Sequence, residues 1–432
     1  MPVSEEVRGY TRPRETPPRS IKKKVGKHME HKYTLKDKIK AMGPGILVVG
    51  SFIGPGTVTS ATSAGAGYGY ALLWTVVFSV IAVVVMQEMA ARLGIVTQNG
   101  LAEELVKDLS DRPPLKWFMV ILVAAAITLG GFAYMGGDLT GTAIGLSAIT
   151  GIPSNIIAPI WGCCVLVLIN IGDAVKSLEK LLSICVTIMA IVFVVTMIVV
   201  KPNLGELLTG IIPSVPEGSM LTCVSLIGTT VVPYNMFIHA TSSRKTWHDP
   251  KELPLARFDT TVSMIIGGII TGAVMITAGT VMRGMEVNSA IDMAVQLEPT
   301  LGDFSVPFLG LGLIAAGVSS AVITPLGVSY VLAGLFGWEM SKKDKRFFWT
   351  NIAVVVAGII VAATGFNPIA IIMTAQAVNG VFLPIIVFTL VYVTSRQRVM
   401  GKYKNSMIRN VLGAGVFLIS LIIGVNSVIS LF

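Results

Sequence analysis

Apolar segments long enough to cross about 30 Å of hydrocarbon recur along this chain, and they constrain its fold more than any other feature. Eleven can be read: Gly43–Ala66, Gly69–Ala91, Trp117–Ala148, Ile156–Ile171, Leu181–Val200, Met220–Ala240, Val262–Val281, Val306–Leu335, Phe348–Ala363, Ile369–Val393 and Val411–Phe432. Inside a bilayer the backbone must satisfy its own hydrogen bonds, so segments of this length predict helices. Only 13% of the 432 residues are charged, about half the share in soluble domains. The expected class is therefore an all-α membrane protein with one transmembrane domain over residues 42–432.

Residues 1–41 read as a separate basic tail, expected to be disordered and cytosolic. Its first 40 positions hold twelve Lys/Arg, five Asp/Glu and four Pro and no apolar core, unlike a signal peptide. Lys and Arg are retained on the cytoplasmic side of short loops. With the N-terminus inside, 31 of the 33 basic residues fall in the tail or the inner loops, and only Lys201 and Arg283 fall outside. This pattern predicts eleven crossings of the plasma membrane and an extracellular C-terminus.

The net charge of +9 follows this topology and forms no aromatic-interleaved stripe, so nucleic acid is not expected as a partner. Cys163, Cys164, Cys185 and Cys223 lie in apolar runs without C-x-x-C spacing, which suits small apolar residues rather than a disulfide or zinc framework. No nucleophile-base set, P-loop or nucleotide fingerprint is visible. Neither an enzyme nor a cofactor is expected.

Two spans carry interruptions at their middles. The first reads Ser51-Phe52-Ile53-Gly54-Pro55-Gly56-Thr57 and the sixth Thr229-Thr230-Val231-Val232-Pro233-Tyr234-Asn235. Proline removes a backbone donor and glycine adds backbone freedom, so both helices should break near the midplane. Spans one and six open two five-helix halves, about 42–200 and about 220–394, with an extra helix at 411–432. An odd number of crossings per half makes the repeat inverted. Either break alone would serve packing, but paired breaks in inverted halves point to a transporter's binding site.

At these residues the chain resembles the Nramp family of proton-coupled divalent metal transporters. Matching stretches are Gly43-Pro44, Gly69-Tyr70-Ala71-Leu72-Leu73-Trp74, Ala91-Arg92-Leu93-Gly94-Ile95-Val96-Thr97 and Leu101-Ala102-Glu103. They continue with Gly141-Thr142-Ala143-Ile144, Gly151-Ile152-Pro153, Leu178-Glu179, Pro213-Ser214 with Pro216, Ser319-Ser320, Leu383-Pro384 and Met400-Gly401. The resemblance implies a LeuT-like inverted repeat of five plus five helices with an eleventh helix. It also implies that the family's metal ligands are gone. The Asp-Pro-Gly-Asn of the first break is here Gly54-Pro55-Gly56-Thr57, and the Met-Pro-His of the second is Val232-Pro233-Tyr234. Of the acidic pair that the family carries on its third helix, Met135 and Asp138 hold the places. The later histidine of helix six survives as His239.

A divalent ion at the midplane loses hydration with a Born term about four times that of a monovalent ion, and it needs carboxylates or several hard oxygens in return. The candidate site is Ser51, Gly54, Pro55, Gly56, Thr57, Thr229, Thr230, Val232, Tyr234, Asn235 and Gln376, with Asn379 nearby, and it contributes no carboxylate of its own. Each break also exposes a half-helix N-terminus with free N–H groups. The expected cargo is therefore a small inorganic anion, bicarbonate first, receiving hydrogen bonds from Thr57, Tyr234 and Asn235. Asp138 and His239 are the candidates for a proton route, with proton coupling left open. Alternatives are a Mn²⁺ or Mg²⁺ transporter with an altered site, and an amino acid or small neutral solute transporter. Glu88 lies four residues before Arg92, where an i,i+4 ion pair is the simplest account.

Overall fold

The computed structural model describes residues 33–429 except 172, and for 171 and 173–180 the backbone alone. The first 32 residues of the basic tail and the last three of the final span lie outside the described residues. Nineteen α-helices are described: α1 Leu35–Lys40, α2 Pro44–Phe52, α3 Pro55–Tyr68, α4 Leu73–Thr97, α5 Leu101–Asp108, α6 Pro113–Thr150, α7 Ser154–Ile171, α8 Asp173–Val199, α9 Leu204–Gly210 and α10 Met220–Thr230. After these come α11 Pro233–Thr246, α12 Leu253–Val281, α13 Ala290–Ala294, α14 Glu298–Leu301, α15 Ser305–Phe336, α16 Lys345–Ala362, α17 Pro368–Ser395, α18 Gln397–Met400 and α19 Met407–Ile429.

Local chemistry explains where the helices begin and end. Proline occupies the first turn of α2, α3, α6, α11 and α17, where no amide donor is needed. Asn367 caps α17 by accepting from the amides of Ile369 and Ala370, and Asp344 caps α16 through the Arg346 amide. Gly151, at φ 74°, ends α6 in a left-handed conformation that glycine adopts without strain.

Nine helical spans pass as membrane-crossing by length and apolarity, α10 with α11 counting as one. The α2/α3 pair, bent by 57°, and the shorter apolar Ser154–Asn170 bring the segments to the expected eleven among the described residues. The second break bends its helix less, so Met220–Thr246 runs as one interrupted span. Several boundaries differ from the expected ones, among them the start of α8 at Asp173 instead of Leu181 and the end of α11 at Thr246 instead of Ala240. Helix α12 starts at Leu253, nine residues before the expected Val262, because the amphipathic turn 253–261 docks against Ile95 and Trp247. The second span starts at Leu73 and continues to Thr97, since Gly69, at φ 58°, closes α3 instead.

Helix α6 forms the centre, packed against α15, α16 and α17 with α3 beside it, while α10 packs against α17, α3 and α4. Small residues allow the close approach: a Cβ on Gly141 would collide with Pro55, one on Gly228 with the α17 backbone at Gln376, and one on Gly136 with Val361. Outward-facing apolar side chains such as Ile160, Ile198, Leu311 and Ile360 are exposed, as lipid-facing residues must be.

Ion pairs gather at the loops. Glu88 pairs with Arg92 at 3.2 Å as the spacing predicts, and also with Arg257 at 3.0 Å and Arg409 at 3.3 Å, tying α4, α12 and α19 together. Arg283, one of the two basic residues outside the charge pattern, is neutralised by Glu206 at 2.7 Å. The four cysteines are unpaired, and Cys163 and Cys164 are exposed.

Candidate functional site

The first break is a two-residue gap. Ile53 ends α2 with its amide on Val49, and Gly54, extended at φ −115° and ψ −174°, precedes Pro55 at the head of α3. Val231 ends α10 in the same way, and Val232 precedes Pro233 at the head of α11. Hydroxyl contacts join the two breaks: Thr57 Oγ1 lies 2.8 Å from Thr229 Oγ1, and one turn on Ser60 Oγ lies 2.6 Å from Ser225 Oγ.

A second chain of hydrogen bonds runs from the break to Asp138 on α6. Ser320 Oγ donates to Asp138 Oδ1 at 3.0 Å and Thr324 Oγ1 to Asp138 Oδ2 at 2.9 Å, while Tyr234 OH lies 3.2 Å from Thr324 Oγ1. Ser320 also faces the backbone break, because a Cβ on Gly54 would stand 3.1 Å from its Oγ. The Tyr234 ring meets Tyr134 edge-on at 5.8 Å. The linear sequence placed no carboxylate at the site, yet folding brings one to it through two hydroxyls.

A hydroxyl has one proton to give. Thr57 donates its proton to the carbonyl of Phe52, so the contact with Thr229 uses a proton from Thr229. Thr324 donates to Asp138, so the contact with Tyr234 uses the phenolic proton. With those protons committed, the oxygens of Thr57 and Tyr234 are left as hydrogen-bond acceptors. The sequence reading had both donating hydrogen bonds to an anion.

The other candidates divide. Ser51 donates to Val48 in its own helix at 2.7 Å, and Thr230 to Leu226 at 3.0 Å. Val232 is buried and apolar. Gln376 on α17 lies against Gly56, where a Cβ would strike its amide, and near Gly137. Both side-chain polar atoms of Gln376 and of Asn235, and Asn379 Nδ2, are buried without a hydrogen-bond partner in the protein. Such groups call for water or a ligand. His239 sits one turn beyond Asn235 with Nδ1 2.9 Å from Gln87 Oε1 and Nε2 unpartnered. Gln87, Ser320 and Thr324 were not singled out from the sequence for this site. Ordinary hydroxyl and amide residues in apolar helices give no local signal of their partners.

Every one of Thr57, Asp138, Thr229, Tyr234, Asn235 and Gln376 is at most 2% exposed, so the polar centre is closed to both sides. Among the described residues, no group of three or more His, Cys, Asp or Glu is placed to hold a metal ion. Oxygen acceptors from neutral side chains and one carboxyl dominate.

Two helices interrupted around a buried polar centre, within an inverted five-plus-five bundle, define a multi-pass membrane transporter of the LeuT-like class. The chain belongs to the Nramp family, since the model of natural resistance-associated macrophage protein-like proteins matches residues 45–430. It is 27% identical over 408 residues to the divalent metal cation transporter MntH of Aeromonas hydrophila, covering 91% of this chain and 95% of that one. It is 28% identical over 404 residues to the MntH of Yersinia pestis, covering 91% and 95%. In three dimensions it resembles the manganese transporter of Eremococcus coleocola, with a TM-score of 0.74 at 19% identity over 93% of this chain and 89% of the other. MhsT in complex with L-phenylalanine shares the fold at a TM-score of 0.57 and 15% identity, over 90% and 98%.

Proposed function

We propose that this chain is a secondary transporter of the plasma membrane whose cargo is a hard divalent cation, Mg²⁺ or Mn²⁺ in kind, moved with part of its water shell. The observation that carries this reading is the polarity of the hydrogen bonds: the protons of Thr57 and Tyr234 are committed to Phe52 and Thr324, leaving oxygens for a cation. Asp138 supplies compensating charge through Ser320 and Thr324, and Gln376 and Asn235 supply amide oxygens. Magnesium-like ions keep several waters and accept few carboxylates. With Val232 at the second break there is no soft donor to favour later transition metals. The MntH relatives, named as divalent metal cation transporters, support the same cargo class.

Bicarbonate is the second reading. It is favoured by Gly54, which leaves the head of α3 without a carboxylate, and by the unpartnered amides of Asn235, Gln376 and Asn379, which can also donate. One experiment separates the two: purified protein in liposomes, assayed for Mg²⁺ and Mn²⁺ entry and for bicarbonate-dependent change in internal pH. Saturable divalent entry without a bicarbonate response supports the cation; the reverse overturns it. In either case the basic tail at 1–41 and the N-terminus are assigned to the cytosol, the C-terminus to the outside, and Asp138 and His239 to the proton route if coupling exists.

A further inference from the structure

Two neighbouring cavities share the residues Met42 and Leu47 at the start of α2. The first, about 540 Å³, lies at the end of the molecule that carries α1, and Lys40, Trp247 and Glu252 line it. The second, about 720 Å³, runs along α2 between α8, α12 and α15 as far as Ile53, with Ile46, Ile191 and Ile266 among its walls. Those three isoleucines are about half exposed, at 53%, 56% and 46%, so the groove opens sideways toward hydrocarbon. Water there would wet an apolar trench inside the membrane, whereas an alkyl chain would fill it at no such cost.

Length and charge identify the alkyl chain's owner. From Met42 to Ile53 the helix rises about 16 Å at 1.5 Å per residue, roughly half of the ~30 Å hydrocarbon core and so the depth of one leaflet. At the polar end, α1 carries Lys36, Lys38 and Lys40 beside exposed Leu35 and Ile39, the composition of a helix lying in the interface. The nearest acids keep their charge but turn to local donors, Asp37 accepting from Thr34 and Glu252 from the amides of His248 and Asp249, and the three lysines outnumber them. A pocket lined by Lys40, Glu252 and Trp247, with Lys36 and Lys38 on the adjoining α1, shares Met42 and Leu47 with a one-leaflet apolar trench, an arrangement that matches a phospholipid with a negative headgroup.

We propose that the two cavities form one site for an anionic phospholipid, with its headgroup at Lys40 and an acyl chain along α2. That chain packs against the half-helix that ends at the break, so occupancy favours the position of α2 seen here.

The test uses the full chain reconstituted in vesicles of phosphatidylcholine and phosphatidylglycerol, re-extracted in mild detergent, with retained lipid read by mass spectrometry. The wild type should retain phosphatidylglycerol preferentially. The triple variant Lys36→Gln, Lys38→Gln, Lys40→Gln should lower that preference by up to roughly a hundredfold, the attraction of three interfacial lysines. Ile191→Trp and Ile266→Trp fill the trench and should lose both lipids, while Ile160→Trp on the exposed face of α7 should lose neither. Matching thermal unfolding midpoints establish that each variant is folded, and either trench variant suffices. Equal retention of the two lipids by the wild type, or undiminished retention in a folded trench variant, overturns the proposal. None of these readouts depends on the cargo.

Discussion

Asp259 on α12 accepts the backbone amide of Gly45 at 2.7 Å and that of Gly43 at 3.2 Å, and so caps the N-terminus of α2 from another helix. The first amides of a helix have no partner inside it, and here a carboxylate 214 residues away supplies one. The contact is close enough that a Cβ on Gly45 would stand 2.8 Å from the Asp259 carbonyl oxygen. It fastens the half-helix next to the break to the body of the protein.

Removing that cap should free α2. Asp259→Ala forfeits charge-assisted bonds worth about 1.5–3 kcal/mol, so amide exchange across residues 44–52 should quicken by tenfold or more while α6 and α17 stay protected. Hydrogen–deuterium exchange read by mass spectrometry checks this. Uniform exchange across all helices would mean global destabilisation instead of a local latch.

The carboxyl of Asp138 is held by two hydroxyl donors, and Asn at this position keeps the shape while losing the charge. Under the cation reading, Asp138→Asn should lower Mg²⁺ or Mn²⁺ uptake at least tenfold, about 1.4 kcal/mol of lost stabilisation. Isothermal titration should show a matching loss of affinity. Bicarbonate-dependent acidification or alkalinisation, if it occurs at all, should persist. Unchanged divalent affinity in a folded variant would remove Asp138 from the site.

A carboxylate can be returned to the first break. Gly54 has an extended backbone that any residue adopts, and a Cβ there would stand 3.1 Å from Ser320 Oγ, which has to give by a few tenths of an ångström while keeping its bond to Asp138. Gly54→Asp should therefore fold and should tighten Mn²⁺ binding by about an order of magnitude, because a direct carboxylate replaces one acting through hydroxyls. Calorimetry with Mn²⁺ measures it, and weaker binding than the wild type would show that two acids at this depth repel more than they chelate.

Outside the membrane, the Arg346 guanidinium and amide bind Asp344 and hold its carboxyl well below the usual carboxylate range. A depressed folded value adds stability that is complete above the unfolded pKa, about 3.9, and disappears as pH falls toward the folded value. The thermal midpoint of the wild type should thus lose this contribution only in acid below about pH 4. Asp344→Asn should lower the midpoint at neutral pH and flatten that acid limb. A parallel pH profile for the two proteins would deny Asp344 this role.

The eleven apolar segments and both helix breaks were legible in the chain itself. Transfer of apolar surface and the missing donor of Pro55 and Pro233 act within a few residues, as does the i,i+4 pairing of Glu88 with Arg92. Asp259 was hidden because it reads as loop when the span is started at Val262, and only the docking of its amphipathic turn makes it part of α12. The character of the polar centre was hidden for a deeper reason. Its defining bonds join Thr57 to Thr229 and Asp138 to Ser320, 172 and 182 residues apart. A hydroxyl can give or accept until its neighbour is known. Composition thus showed which polar groups lie near the midplane, but their protons were assigned only when the first break turned the Phe52 carbonyl to Thr57 and packing brought Thr324 to Tyr234.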